Sequence, residues 1–160
     1  MAKDSVANKP VSGVDDDEQV YAMQVVAFKL RDEEYGANIF QVQEINDMSD
    51  ITRVPFAASF IKGVINQRGS VMPVIDLKKR LGLAETPYTD ATRIVTVIVG
   101  DLHVGMLVDA VTEVLTIRSR LVDPKKTVSD KAMEKFLSGI GNIDGRLVTM
   151  LNLEEIVGVS

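Results

Sequence analysis

The chain has no cysteine, no tryptophan and a single histidine, His103. Without cysteine there is no disulfide, no thiolate metal ligand and no cysteine nucleophile. With one histidine, a protein zinc site would rest almost entirely on carboxylates, a rare donor set. No stretch is apolar for long enough to make a transmembrane helix, and the N-terminus shows no signal-peptide pattern. A cationic excess is missing too. Eighteen Lys and Arg against 23 Asp and Glu leave a net charge of -5, the wrong sign for a nucleic-acid partner. Gly63 and Gly69 do not form a phosphate loop, because no Gly-Lys-Ser/Thr follows them. His103 falls in an expected hairpin turn with no nucleophile nearby in sequence. No catalytic constellation is left, so the sequence points to no enzyme and no cofactor, and its composition fits the cytoplasm.

What is present is the composition of a folded protein, 46% hydrophobic and 26% charged over 160 residues. That length suits one ordinary domain or two very small ones. Residues 1 to 19 read as a disordered tail, since Pro10, Gly13 and the acidic run Asp15 to Glu18 offer little to bury against the entropy of ordering. The folded part is expected over 20–160.

One pattern dominates it. Phe60, Gly63, Asn66, Gly69, Leu77 and Gly82 recur as Phe136, Gly139, Asn142, Gly145, Leu153 and Gly158, at a constant offset of 76. Each copy reads as strand, tight turn, strand and short helix. Gly69 and Gly145 close the turns. Asp76 and Asn152 cap the helices, and Gly82 and Gly158 end them. An earlier block repeats as well: Asp32, Gly36, Val42 and Glu44 match Asp101, Gly105, Val111 and Glu113, at an offset seven shorter. The extra seven residues therefore fall between Thr116 and Lys135. That segment reads as a loop around Asp123 to Lys126 followed by a short helix over 129–137.

Two units are expected, about 20–85 and 91–160, separated by the polar connector Thr86 to Asp90. The C-terminal helix is placed to pack back on the first unit. In unit one, strands are read at Val20 to Leu30, Tyr35 to Phe40 and Val42 to Ile45, with a short extended piece at Ile51 to Val54 and a helical turn starting at Ala57. Gly36 reads as a point of close approach. In unit two, Arg93 to Val99 reads as a strand buried on both faces, followed by strands at Val104 to Asp109 and Val111 to Leu115. Five short strands per unit suggest small closed barrels. Units of about 65 residues have marginal cores alone, so they should share apolar surface. Met23, Met72, Met106 and Met150 read as core filling.

Two charges look unneeded for folding: Arg68 at a hairpin tip, where the repeat has Asp144, and Glu44 on a strand with apolar neighbours. From composition they are either solvated charges or the edge of a groove. Glu44 and Glu113 are already explained as a pair by the repeat.

The motifs Glu33-Glu34-Tyr35-Gly36, Val42-Gln43-Glu44-Ile45, Ile51-Thr52-Arg53-Val54-Pro55, Phe60 to Gly69 and Val71 to Leu77 resemble CheW, the coupling adaptor family of bacterial chemotaxis. Val104-Gly105, Val108 to Val111 and Phe136 to Gly139 extend the likeness to most of the chain. The resemblance implies a mainly β fold of two SH3-like five-stranded barrels and no enzyme activity. It also implies two partners, the regulatory domain of the histidine kinase CheA and the cytoplasmic tip of methyl-accepting chemoreceptors, the latter held in a groove between the barrels. No nucleic acid and no direct membrane insertion are implied. The implied binding set is Val42, Glu44, Ile51, Gly63, Ile65 and Arg68. Gln67 departs from the family, where leucine is common before the arginine. CheV-like proteins and the CheA regulatory domain share the fold, but a receiver or kinase domain is not seen in this sequence.

Overall fold

The computed structural model describes residues 22–118, 120–124 and 131–158. The expected tail, 1 to 19, lies outside the described residues, as does part of the expected loop around Asp123 to Lys126. The described elements are β1 (Met23–Leu30), β2 (Glu33–Asn38), β3 (Val42–Asp47), β4 (Ile61–Gln67), β5 (Ser70–Asp76), α1 (Leu77–Leu81), β6 (Arg93–Val99), β7 (Leu102–Val108), β8 (Ala110–Ile117), α2 (Lys131–Glu134), β9 (Leu137–Ile143), β10 (Arg146–Leu151) and α3 (Leu153–Val157). β1 to β5 and α1 have their counterparts in β6 to β10 and α3. α2 has none and lies in the excess segment.

The local chemistry of the repeat is realised twice. Arg68 and Gly69 sit at φ 53° and 80°, Asp144 and Gly145 at 52° and 86°. Both hairpins therefore turn through two left-handed residues, which matches the twist of the flanking strands. The side chains of Asp76 and Asn152 accept hydrogen bonds from the amides of Lys79 and Glu155, each at 3.3 Å. Gly82 and Gly158 end the helices in the left-handed conformation. Even the entry to each helix is copied: the amides of Asp76 and Asn152 donate to the carbonyls of Phe60 and Phe136 at 2.8 Å. The excess can be divided. Isolated bridges pair Thr52 with Val64 and Val122 with Ile140. Val64 and Ile140 are 76 apart but Thr52 and Val122 only 70, so six of the seven extra residues fall between Val122 and Phe136.

Four expectations change. The strand expected at Tyr35 to Phe40 stops at Asn38, whose side chain accepts from the Phe40 amide at 3.0 Å and starts a 3-10 turn over Ile39–Gln41. Ala57 to Ile61 forms no helix; a single bond from the Ile61 amide to the Ala58 carbonyl closes a turn. Leu137, the end of the expected helix over 129–137, opens β9 instead and pairs with Leu151 of β10. The largest correction concerns the units. The two five-stranded sheets run β8-β1-β2-β10-β9 and β3-β6-β7-β5-β4. Each takes two strands from one half of the sequence and three from the other, so 20–85 and 91–160 are not the two barrels. The halves are exchanged, as in a domain swap. The repeat fixes which strands are equivalent, but it is satisfied equally by pairing within a half or across halves.

The exchange runs through four junctions, the antiparallel pairs β1 with β8 and β3 with β6 and the parallel pairs β2 with β10 and β5 with β7; in the parallel pairs Gly36 faces Met150 and Gly105 faces Val74. A Cβ on Gly36 would lie 3.0 Å from the Met150 sulfur, and one on Gly105 would lie 2.9 Å from Ile94 Cγ2. What approaches these glycines is side chain rather than backbone. Each barrel has its own small interior: Met23, Val25, Ile117, Val148 and Met150 in one, Ile65, Met72, Val74, Ile94 and Leu107 in the other. A larger cluster joins them, with Phe28, Leu30 and Tyr35 from the first sheet against Val95, Val97 and Met106 from the second, and Leu77, Leu153 and Ile156 from the helices. The expected shared core is this cluster. On the same seam the guanidinium of Arg80 lies 3.9 Å from the ring centre of Phe60 and 4.9 Å from that of its counterpart Phe136. It donates to the carbonyls of Ile156 and Glu155, which ties α3 to α1.

Candidate docking groove

β3 and β4 are the two edges of the second sheet. The sheet curls until side chains bridge them. Gln67, the last residue of β4, donates through Nε2 to Glu44 Oε1 at 2.7 Å and to Asn46 Oδ1 at 3.2 Å, both on β3. Arg68, one residue on, donates to the other oxygen of the same carboxylate at 3.1 Å. The Glu44 side chain is 22% exposed and that of Arg68 74%. The pair is therefore half in solvent and adds about 0–1 kcal/mol to stability. Glu44 is aimed by a bulge: β3 pairs with β6 through Val42 opposite Val97 and Glu44 opposite Thr96, leaving Gln43 unpaired. Bulges redirect side chains in this way. Gln43 meets His103 across the curl, Oε1 to Nδ1 at 3.1 Å.

The pair stands on the rim of a groove of about 680 Å³ over this barrel, which reaches Val157 of α3. Its walls hold two exposed apolar side chains, Val71 at 68% and Leu102 at 46%, together with Met72, Pro73 and the carboxylate of Asp101. Most of the lining comes from one barrel. An apolar floor beside a half-exposed ion pair joined by a single hydrogen bond suits a protein segment; among the described residues no cluster of three or more metal-ligating side chains occurs.

The six residues read from the sequence part into three groups. Glu44 and Arg68 line the groove. Val42 packs, half-buried, against the shared core, one bulge away from Glu44. Ile51, Gly63 and Ile65 belong to the wall behind. Ile65 is 8% exposed inside the small core, and Ile51 packs against it. A Cβ on Gly63 would lie 2.2 Å from the Thr52 carbonyl oxygen, so this glycine is what lets the Thr52–Val64 bridge form. Ile65 and Gly63 shape the strand that leads into Arg68.

Sequence reading missed the corresponding network on the other barrel. Arg146 grips Glu34 with both ends of its fork, at 2.5 and 2.6 Å, and reaches Glu113 at 2.8 Å. Thr112 adds a 2.8 Å bond to Glu34. The Arg146 fork, assisted by Thr112 and opposed by burial, holds the Glu34 carboxyl below its ordinary range, and the two carboxylates push the Arg146 guanidinium further up. The repeat carried no signal of it, since it places Arg146 over Ser70 and Glu34 over His103. The cation that stands at the turn in one barrel stands at the start of the strand in the other.

Residues 24–159 match the CheW-like domain family model. A probable chemotaxis protein CheW of Rhizobium etli is 35% identical over 133 residues, covering 83% of this chain and 86% of that protein. The chemotaxis protein CheW of Helicobacter pylori is 36% identical over 144 residues, 89% of this chain and 85% of that protein. Among solved structures, the scaffolding protein TtCheW from Thermoanaerobacter tengcongensis superposes with a TM-score of 0.77 at 35% identity, covering 86% of this chain and 94% of that one. With two five-stranded barrels, the strand order above and a match over nearly all of its folded length, the chain belongs to the CheW-like family.

Proposed function

We propose that the chain is a non-enzymatic adaptor that couples transmembrane chemoreceptors to the histidine kinase CheA in bacterial chemotaxis. The observation that carries this reading is the Arg68–Glu44 pair on the rim of an open apolar groove. The fold does not need the pair, since Asp144 stands where Arg68 does in the other barrel. The named relatives are chemotaxis proteins and the structural relative is a scaffolding protein, which supports an adaptor over a catalyst. In this reading the groove receives the cytoplasmic tip of a methyl-accepting receptor, and a barrel end meets the regulatory domain of CheA. Val42, Glu44 and Arg68 make direct contacts, while Ile51, Gly63 and Ile65 hold the wall. The adaptor works in the cytoplasm and is recruited to receptor arrays; no described helix is long and apolar enough to cross a membrane.

The test is titration of the full chain and of Arg68→Ala against a CheA regulatory domain and a receptor cytoplasmic fragment, beside thermal melts. Alanine keeps a Cβ at the same left-handed position, so the strain of the turn is unchanged and only the guanidinium is lost. Affinity for at least one partner should fall about tenfold or more, the 1.4 kcal/mol or more expected for a central arginine, with the melting temperature nearly constant. No binding of the wild-type chain to either partner would overturn the adaptor reading. Unchanged affinity of the variant for both would remove Arg68 from the site.

A further inference from the structure

Phe56 is the most exposed large apolar side chain among the described residues, at 106% of its reference area, and its φ is 65°. Bulky residues rarely occupy the left-handed region, where glycine and asparagine are at home. A fully solvated ring on strained backbone contributes nothing to the core, and such outliers gather at binding sites. The loop that carries it is fixed at both ends. The Thr52–Val64 bridge closes its base with bonds of 2.9 and 2.8 Å, and the turn from Ala58 to Ile61 closes its far side.

Beside the ring is a hollow of about 370 Å³ lined by residues of the 53–62 segment. Arg53 and Lys62 contribute the only charges on it, and no carboxylate does, although the chain as a whole carries -5. Val54, at 42%, adds exposed apolar surface. Ala58 and Ile61 line both this hollow and the larger groove. The two surfaces are therefore continuous.

We propose that Phe56 is a second anchor of the docking groove. The protein segment that fills the groove continues over the 53–62 loop and takes the Phe56 ring into an apolar socket rimmed by carboxylates, which face Arg53 and Lys62. An aromatic side chain with few rotatable bonds gives large contact area at low entropic cost, as interface anchors do. Continuity with the groove favours a protein over a lipid surface, and so does the net charge, which repels anionic headgroups against only two local cations. The inference rests on the adaptor reading and adds to it the chemistry that the partner must present.

The test uses the full chain with Phe56→Asn, Phe56→Trp, Arg53→Glu and Arg68→Ala. Each is titrated with the CheA regulatory domain and the receptor cytoplasmic fragment, and each is sedimented with vesicles of anionic and neutral phospholipid. Phe56→Asn should weaken binding to the receptor fragment, the occupant of the groove, at least fivefold, with a melting temperature equal to or above that of the wild type, since asparagine tolerates this backbone. Phe56→Trp should keep the wild-type affinity, and Arg53→Glu should weaken it and reduce its dependence on salt. Wild-type affinity of Phe56→Asn for the receptor fragment overturns the inference; if Arg68→Ala still weakens binding, the adaptor reading survives alone. Failure of the wild-type chain to bind either fragment removes both. Vesicle binding that is lost with the Phe56 ring overturns the protein partner in favour of a membrane.

Discussion

Lys78 is a charge that the fold has buried. It is 4% exposed, and its ammonium lies 2.6 Å from Asp109 Oδ1 while also donating to the hydroxyl of Thr86. Asp109 in turn accepts from the Arg31 amide at 2.7 Å. One lysine thus ties α1 to the connection between β7 and β8 and to the connector at Thr86, and through Asp109 to the turn between β1 and β2. Removing one partner of a buried pair strands the other charge, and Asp109 keeps only some contact with water. Lys78→Ala should therefore cost about 3 kcal/mol in urea unfolding, while Lys78→Met combined with Asp109→Asn should cost much less. Equal losses would make Lys78 a packing residue. Glu34 titrates in a way that can be read as stability. Its carboxyl is held below the ordinary 4.5, chiefly by Arg146, so above that pH the folded state keeps the full benefit of the ionised pair. As pH falls below about 4.5 the unfolded chain takes up the proton first, and stability drops until the folded carboxyl is protonated too. Unfolding free energy measured from pH 7 to 3 should decline less steeply in Glu34→Gln than in the wild type. An unchanged slope would assign the acid sensitivity to other carboxylates.

The element that matters most is the β4–β5 hairpin with α1 behind it. The turn supplies Arg68, the last residue of β4 holds Glu44, and the end of β5 caps the helix. Sequence reading noted Gln67 only as a departure from the family's leucine. It is instead the residue that connects the two edges of the barrel, because its amide reaches both Glu44 and Asn46. That role depends on β3 and β4 meeting when the sheet curls, which no local pattern reveals. The caps, by contrast, were legible, and their strength can be measured. Asp76→Ala and Asn152→Ala should each lower stability by about 0.5–2 kcal/mol, typically about 1. Losses well below that at both sites would mean that packing of Leu77 and Leu153 holds the helices without help.

Over the whole molecule, the exchange of strands sets a stronger condition than a shared interface would. Residues 91–160 contribute β8, β9 and β10 to one sheet and β6 and β7 to the other. Expressed alone they complete neither, and the large cluster loses Phe28, Leu30, Tyr35, Leu77 and Leu81. The fragment should show no cooperative melting transition and should expose apolar surface. Mixed with residues 1–90 it should regain one, since the connector at Thr86 to Asp90 supplies no strand. A cooperative melt of 91–160 alone, matching that of the full chain, would contradict the exchanged topology.

The sequence by itself determined the local grammar: ten strands in two equivalent sets, the turns closed by Gly69 and Gly145, and the helix caps. These follow from backbone sterics and from side-chain bonds spanning a few residues, and the repeat shows each of them twice. Tertiary structure alone decided which copy of each strand pairs with which. It also decided that Ile65 faces inward while Phe56 stands in solvent, and that Arg146 grips Glu34 from 112 positions away. The reason is that long-range pairing is selected by the total apolar surface buried, a sum over both halves. An internal repeat makes the exchanged and unexchanged pairings look identical in every local term, so only their packing distinguishes them.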